Sequence, residues 1–135
     1  MDILEAILYG EDLPAMEAFY SSLLDAQPFV KEEGRHLFYR LDRTMLLIFD
    51  PEESEKEHSD DTLPIPTHGA RGPGHLAFAV SRVEQSALRQ KLIAAGIPIE
   101  EEIEWPHGAH SIYIRDPAGN SVEFATPSLW AFPEA

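Results

Sequence analysis

Three short runs of this sequence each carry one ionisable side chain where a strand would otherwise be apolar: Glu5 in LEAILYG, His75 in GHLAFAV and Glu123 in NSVEFATP. Alternate residues of a strand face opposite sides, so each run splits by parity. Leu76, Phe78 and Val80 make one face of HLAFAV and leave His75 with Ala77 and Ala79 on the other. Val122 and Phe124 oppose Ser121, Glu123 and Ala125 in the same way, and Leu4, Ala6 and Leu8 oppose Glu5, Ile7 and Tyr9. The face that bears the three ionisable groups is otherwise small or amphipathic, as the wall of a cavity would be. His75 in register with Glu123 is a donor pair for a metal ion, or else His75 is a satisfied histidine at a strand end. Glu5, near a fraying terminus, is a third donor or a solvated side chain. Two carboxylates in one partly desolvated pocket repel, so a cation, metallic or organic, must stand between them or one keeps its proton.

A second group follows the same strand order. Trp105, His107, His110, Tyr113 and Arg115 cluster around a glycine-containing loop and the strand after it. His107 and His110 have the side chain for acid–base work near neutral pH, or are exposed loop residues. Trp105 and Tyr113 line a pocket, or else fill a core or a dimer contact. His68, in HGARGPG, reads as a residue at the pocket rim, and His58, in EKEHSDD, as a solvated one.

These residues need elements to hold them. Asp12 and Pro14 suit a helix start, and Met16, Phe19, Tyr20 and Leu23 recur at the spacing of one buried helical face. Three strand-like runs follow, FVKEE, HLFYRL and TMLLIF, separated by the turns Gly34-Arg35 and Asp42-Arg43. Residues 51–73 are acidic and then rich in Pro and Gly, a linker. The order then repeats. Ser81 and Glu84 form a capping box that opens a helix, Val83, Ala87, Leu88 and Leu92 line its inner face, and Gly96 closes it. IPIEEEIEW, HSIYIR and NSVEFATP give three more strands, with DPAGN as the tight turn before the last. A shift of 70 residues lays Glu5 on His75, and a shift of 76 lays Leu47 on Glu123. The expected fold is therefore α+β, two tandem βαβββ modules at about 1–50 and 74–127 with a tail at 128–135, within a single domain of 135 residues.

Composition narrows the function classes. A formal net charge of −14 argues against nucleic acid or an anionic membrane surface as partner. The absence of cysteine excludes disulfides, thiol nucleophiles and zinc–thiolate sites, and suits a reducing cytoplasm. No secretory signal and no run of roughly 20 apolar residues is present, so a soluble cytoplasmic protein is expected.

The pair LEAILYGEDLPAMEAFY, the segment HGARGPGHLAFAV and above all WPHGAHSIYIRDPAGNSVEFATPSLW resemble the vicinal oxygen chelate superfamily, which includes glyoxalase I, bleomycin-binding proteins and extradiol dioxygenases. The resemblance implies paired βαβββ modules curling into an open, curved mixed sheet around a cavity and a divalent metal. It places ligands at Glu5, Leu47, His75 and Glu123. Leu47 cannot coordinate, so a four-ligand glyoxalase set is not expected. The remaining three, Glu5, His75 and Glu123, leave open positions for water or substrate. Two carboxylates and one imidazole favour harder ions, Mn, Fe or Mg, over Zn, and Ni belongs among the candidates.

By the same resemblance Glu123 is the catalytic candidate, and Trp105, His107, His110, Tyr113 and Arg115 line the substrate pocket. The implied protein is a homodimeric metal-dependent lyase, isomerase or dioxygenase acting on a small molecule with two adjacent oxygens. The alternative is a non-catalytic, bleomycin-resistance-like module in which an acidic dimer captures a cationic aromatic compound. A third reading is a scaffold dimer with an inert cleft.

Overall fold

The structure is a computed structural model and describes residues 1–134; of the expected tail, residue 135 lies outside them. The chain divides into two compact units, residues 1–74 and the part from His75 onward.

In the first unit β1 (Glu5–Tyr9) leads into α1 (Leu13–Leu24), followed by β2 (Val30–Glu32), β3 (His36–Arg40) and β4 (Met45–Phe49). Its four strands form a mixed sheet in the order β1-β4-β3-β2, with β1 parallel to β4 and the remaining pairs antiparallel. The start of α1 follows from chemistry: the Asp12 side chain accepts from the Ala15 N–H, and Pro14 occupies the first turn, where no N–H is needed. Met16 and Tyr20 are fully buried. On the sheet Leu8, Leu37, Tyr39, Leu46 and Ile48, one parity of β1, β3 and β4, are buried. Residues 51–73, expected as a linker, begin with a short helix, α2 (Pro51–Ser54), capped by Asp50. Ser54 then ties the far end of the segment back, its Oγ donating to the His68 carbonyl at 2.6 Å and its carbonyl accepting from the His68 N–H at 3.1 Å.

The second unit repeats the plan. β5 (His75–Ala79), α3 (Arg82–Ala95), β6 (Glu101–Glu104), β7 (His110–Arg115) and β8 (Ser121–Ala125) give a sheet in the order β5-β8-β7-β6. The capping box on α3 is formed in both directions, and Gly96 ends the helix with φ +68°. The pairing registers superpose at the expected shifts: Ile7 pairs with Leu47 in the first sheet, and Ala77 with Glu123 in the second. The architecture is thus α+β, two βαβββ modules each with its own four-stranded sheet.

The buried stripe of α3 differs from expectation. Leu88 and Leu92 are buried, but Val83 is 80% exposed and Gln85 takes the inner position at 0%. Apolar character alone picks Val83. The structure prefers Gln85 because its amide is fully used: Nε2 donates to the His110 and Phe124 carbonyls at 2.9 and 3.0 Å, and Oε1 accepts from His110 Nδ1 at 3.1 Å. A buried amide is tolerable when hydrogen-bonded throughout. Among the described residues, no helix is long and apolar enough to cross a membrane.

Candidate functional site

The parallel pairing of β5 with β8 brings His75 and Glu123 together. His75 opens β5 opposite Ser121, and Glu123 lies two residues further along β8 on the same face. His75 Nε2 stands 3.2 Å from Glu123 Oε1. The carboxylate side chain is 6% exposed and the imidazole 52%, so the carboxylate is set into the sheet and the imidazole reaches solvent.

The other ring nitrogen decides the chemistry. His75 Nδ1 lies 3.0 Å from the Ser121 carbonyl, which can only accept, so Nδ1 carries the proton. In the neutral ring Nε2 is then a bare lone pair directed at a carboxylate oxygen. Two acceptors at this distance are satisfied only by a cation between them, either a second proton on the imidazole or a metal ion. The donor set fits a metal. A ligating histidine typically gives its other N–H to a carbonyl or carboxylate. Two bonds of about 2.1 Å at right angles place their donor atoms roughly 3 Å apart.

Around this pair the open face is built from alternate residues. Tyr113, opposite Glu123 on β7, stacks on His75 with ring centroids 6.3 Å apart and planes 23° from parallel. Burial first, then the charge of Glu123 and hydrogen bonding to it, push the Tyr113 phenol above its usual value, so it stays protonated and able to donate. Ser111 donates to Glu123 Oε2 at 2.6 Å, and Trp105 Nε1 lies 2.8 Å from Ser111 Oγ.

The remaining expected site residues are placed differently. Arg115 shares the parity of Tyr113, but it is exposed and held by Glu100 at 2.7 Å and by the Gly119 carbonyl at 3.1 Å. His107 is exposed in the 3-10 turn Pro106–Gly108 with φ +72°. His110 lies on the opposite, helix-facing side of β7, 5% exposed, bonded to Gln85 and with Nε2 3.4 Å from Glu102.

Glu5 belongs to the other unit. It is exposed at the start of β1, in the repeat position that His75 holds in β5, and Leu47 occupies the place of Glu123, buried between Ile7 and Phe38. Among the described residues no group of three or more His, Asp or Glu side chains is gathered around one point suitable for a metal. His68 packs in the first unit, its Nδ1 2.7 Å from the Tyr9 hydroxyl and its ring edge-on to Phe49. His58 is exposed.

Ser111, Ser121 and Gln85 are the contributors that sequence reasoning did not assign. Ser111 shares the parity of Tyr113 and so carried a usable signal; Ser121 acts through its carbonyl, which has none.

The comparisons with known proteins agree with this architecture. No curated protein matches the chain. The solved structure of a lactoylglutathione lyase from Agrobacterium tumefaciens is 42% identical over 97% of each chain, with a TM-score of 0.90. A glyoxalase/bleomycin resistance protein from Catenulispora acidiphila shares the fold at 19% identity and TM-score 0.65, covering 92% of this chain and 96% of its own. The oxidase ChaP-H1 shares it at 20% and 0.65, covering 93% and 95%. The model of the Glyoxalase/Bleomycin resistance protein/Dioxygenase superfamily matches residues 2–124, and the chain belongs to that superfamily.

Proposed function

We propose that the protein is a glyoxalase-type metalloenzyme whose divalent ion is held by His75 and Glu123, with Glu5 as the third protein donor, and whose substrate is a small molecule with two adjacent oxygens. The observation that carries this reading is His75 Nε2 facing Glu123 Oε1 at 3.2 Å while its Nδ1 proton is committed to the Ser121 carbonyl. Lactoylglutathione, after which the 42%-identical lyase is named, suits it, because a lactoyl group sets a hydroxyl beside a carbonyl. A divalent ion in this place supplies Lewis-acid polarisation of such oxygens.

The chain's own residues do the rest. The Ser121 carbonyl fixes the imidazole's tautomer and orientation, Tyr113 covers its face and donates from a protonated phenol, and Glu123 is placed to take or return a proton. Leu47 removes one carboxylate from the first module, so the set is leaner than a four-ligand one.

The test is metal content by mass spectrometry on protein purified without chelators, with turnover of lactoylglutathione measured alongside. About one ion per chain, lost in Glu123→Gln and His75→Ala, is expected. A binding module for cationic aromatic compounds is the second reading, favoured by the net charge of −14 and by Phe38, Phe49 and His36 on the open face of the first sheet. Metal-free protein that gains thermal stability with bleomycin and not with Mn²⁺, Zn²⁺ or Ni²⁺ would replace the enzyme reading with that one.

A further inference from the structure

The contacts behind Glu123 run in one direction only. The Trp105 indole N–H is a donor with no acceptor capacity, so Ser111 Oγ must accept from it at 2.8 Å. The single hydroxyl proton of Ser111 is then turned away from Trp105, and it meets Glu123 Oε2 at 2.6 Å, a length typical of a charge-assisted bond. Ser111 is 0% exposed, so water cannot replace either partner. Ser111 pairs with Ile103 on β6 and Ala125 on β8, neither of which offers a side-chain acceptor, and the Tyr113 phenol beside the hydroxyl is itself bonded to Glu123. Reversal of the chain would require Trp105 to accept, which it cannot do.

We propose that Trp105 and Ser111 form a one-way hydrogen-bond chain that engages Glu123 Oε2 and keeps Oε1 turned toward His75 to meet a cation there, which makes Ser111 the positioning residue of the site and Trp105 its reporter. The inference rests on the metal reading only for what Oε1 meets; the chain itself stands on its geometry. Without the hydroxyl, the carboxylate can rotate and offer either oxygen. Supports of this kind typically change metal affinity by 10–100-fold when removed.

The test uses the full chain carrying Trp130→Phe, so that Trp105 is the sole tryptophan, with its indole N–H followed in ¹H–¹⁵N spectra and Mn²⁺ affinity measured by calorimetry. Glu123→Gln should displace the Trp105 indole signal although the two side chains share no bond, and Zn²⁺ should displace it in the wild-type site. Ser111→Ala should weaken Mn²⁺ binding by about 10-fold or more, and Trp105→Phe, which leaves the hydroxyl but frees it to turn, by less; the latter serves if Ser111→Ala does not fold. An indole signal indifferent to Glu123→Gln, or Ser111→Ala with wild-type Mn²⁺ affinity, overturns the proposal. A protein that binds no Mn²⁺ or Zn²⁺ overturns the metal reading instead, and leaves the relay to be judged on the Glu123→Gln spectrum.

Discussion

Replacing Glu123 by leucine, the residue that the first module already holds at the corresponding position, tests whether the carboxylate serves function at the expense of the fold. Glu123 is 5% exposed, and the groups that touch it are the Ser111 hydroxyl, the Tyr113 phenol and the His75 imidazole, half open to water. The substitution therefore strands no buried opposite charge, which is what makes most buried-pair deletions costly. On the debit side, the Ser111 bond to a charged group is worth about 1.5–3 kcal/mol, and the half-exposed His75 contact contributes under about 1 kcal/mol.

On the other side, a buried leucine side chain contributes about 2 kcal/mol, and several kcal/mol of carboxylate desolvation is relieved. The net expectation is a chelator-treated Glu123→Leu protein about 1–2 kcal/mol more stable than the original. For a chain of this length that is roughly 3–5 °C in Tm per kcal/mol, measured by calorimetry with urea melts as a check. Added Mn²⁺ should then raise the Tm of the parent and leave that of the variant unchanged. A variant less stable than the parent by more than about 1 kcal/mol without metal would refute the reasoning, because the carboxylate would then be holding the sheet together.

Three further outcomes follow from other contacts. Gln85→Leu removes three hydrogen bonds between α3 and the sheet and leaves His110 Nδ1 and the Phe124 carbonyl without them, so urea denaturation should show a loss of about 2 kcal/mol after the apolar gain is set against it. Asp116→Ala should cost about 2–3 kcal/mol in the same assay, since the carboxylate accepts from the Ala118 and Asn120 N–H groups at 2.9 and 3.0 Å and from Asn120 Nδ2 at 2.9 Å; Asp116→Asn should cost less. Burial lowers the His36 pKa below 6.5, with Glu32 opposing and Arg35 adding to the shift. Keeping this ring neutral therefore stabilises the fold fully above that value, and the contribution is lost as pH falls through it and below. His36→Phe should show a shallower fall in stability between about pH 7 and 5 than the parent, measured by denaturant midpoints across that range.

The modular plan was legible because it is written in periodicities: strand alternation, the helical spacing of Met16, Tyr20, Leu88 and Leu92, the capping box at Ser81, and registers that align Ile7–Leu47 with Ala77–Glu123. His75 and Glu123 were legible for the same reason, as polar residues on a strand face whose neighbours are small. The supports were harder to see. The tautomer of His75 is set by a backbone carbonyl, and Gln85 looks like a surface residue until the carbonyls it caps are known. His110 was grouped with Trp105 and Tyr113 by proximity in the chain, although its even number places it on the other face of β7. Residues 51–73 read as a linker from their composition, yet Ser54 closes the segment by bonding His68, and the His68 ring packs against Tyr9 and Phe49 of the first module, contacts that composition does not encode.

The two sheets also show how one backbone plan accommodates unlike chemistry. Their helix-facing parities are interchangeable in character: Leu37, Tyr39, Leu46 and Ile48 in the first, Ile112, Ile114, Val122 and Phe124 in the second, all buried. Their open parities are not. The row Ile7–Leu47–Phe38 is apolar throughout, whereas its counterpart Ala77–Glu123–Tyr113 surrounds a carboxylate with small or hydrogen-bonding neighbours. A strand's period of two makes this separation possible, because the core is specified by one set of residues and the site by the other. A buried carboxylate can be kept only where its oxygens are supplied with donors, and the second module meets that demand with Ser111 and Tyr113 at positions where the first holds His36 and Phe38. The His36 ring stacks on Phe38 with 4.1 Å between centroids, and its Nδ1 is buried without a hydrogen bond, so the first module lacks the hydroxyl that would hold a carboxylate at position 47. The two modules thus differ in rows rather than at single positions: a buried glutamate is kept at 123 because the residues beside it on β7 supply donors that the first module lacks.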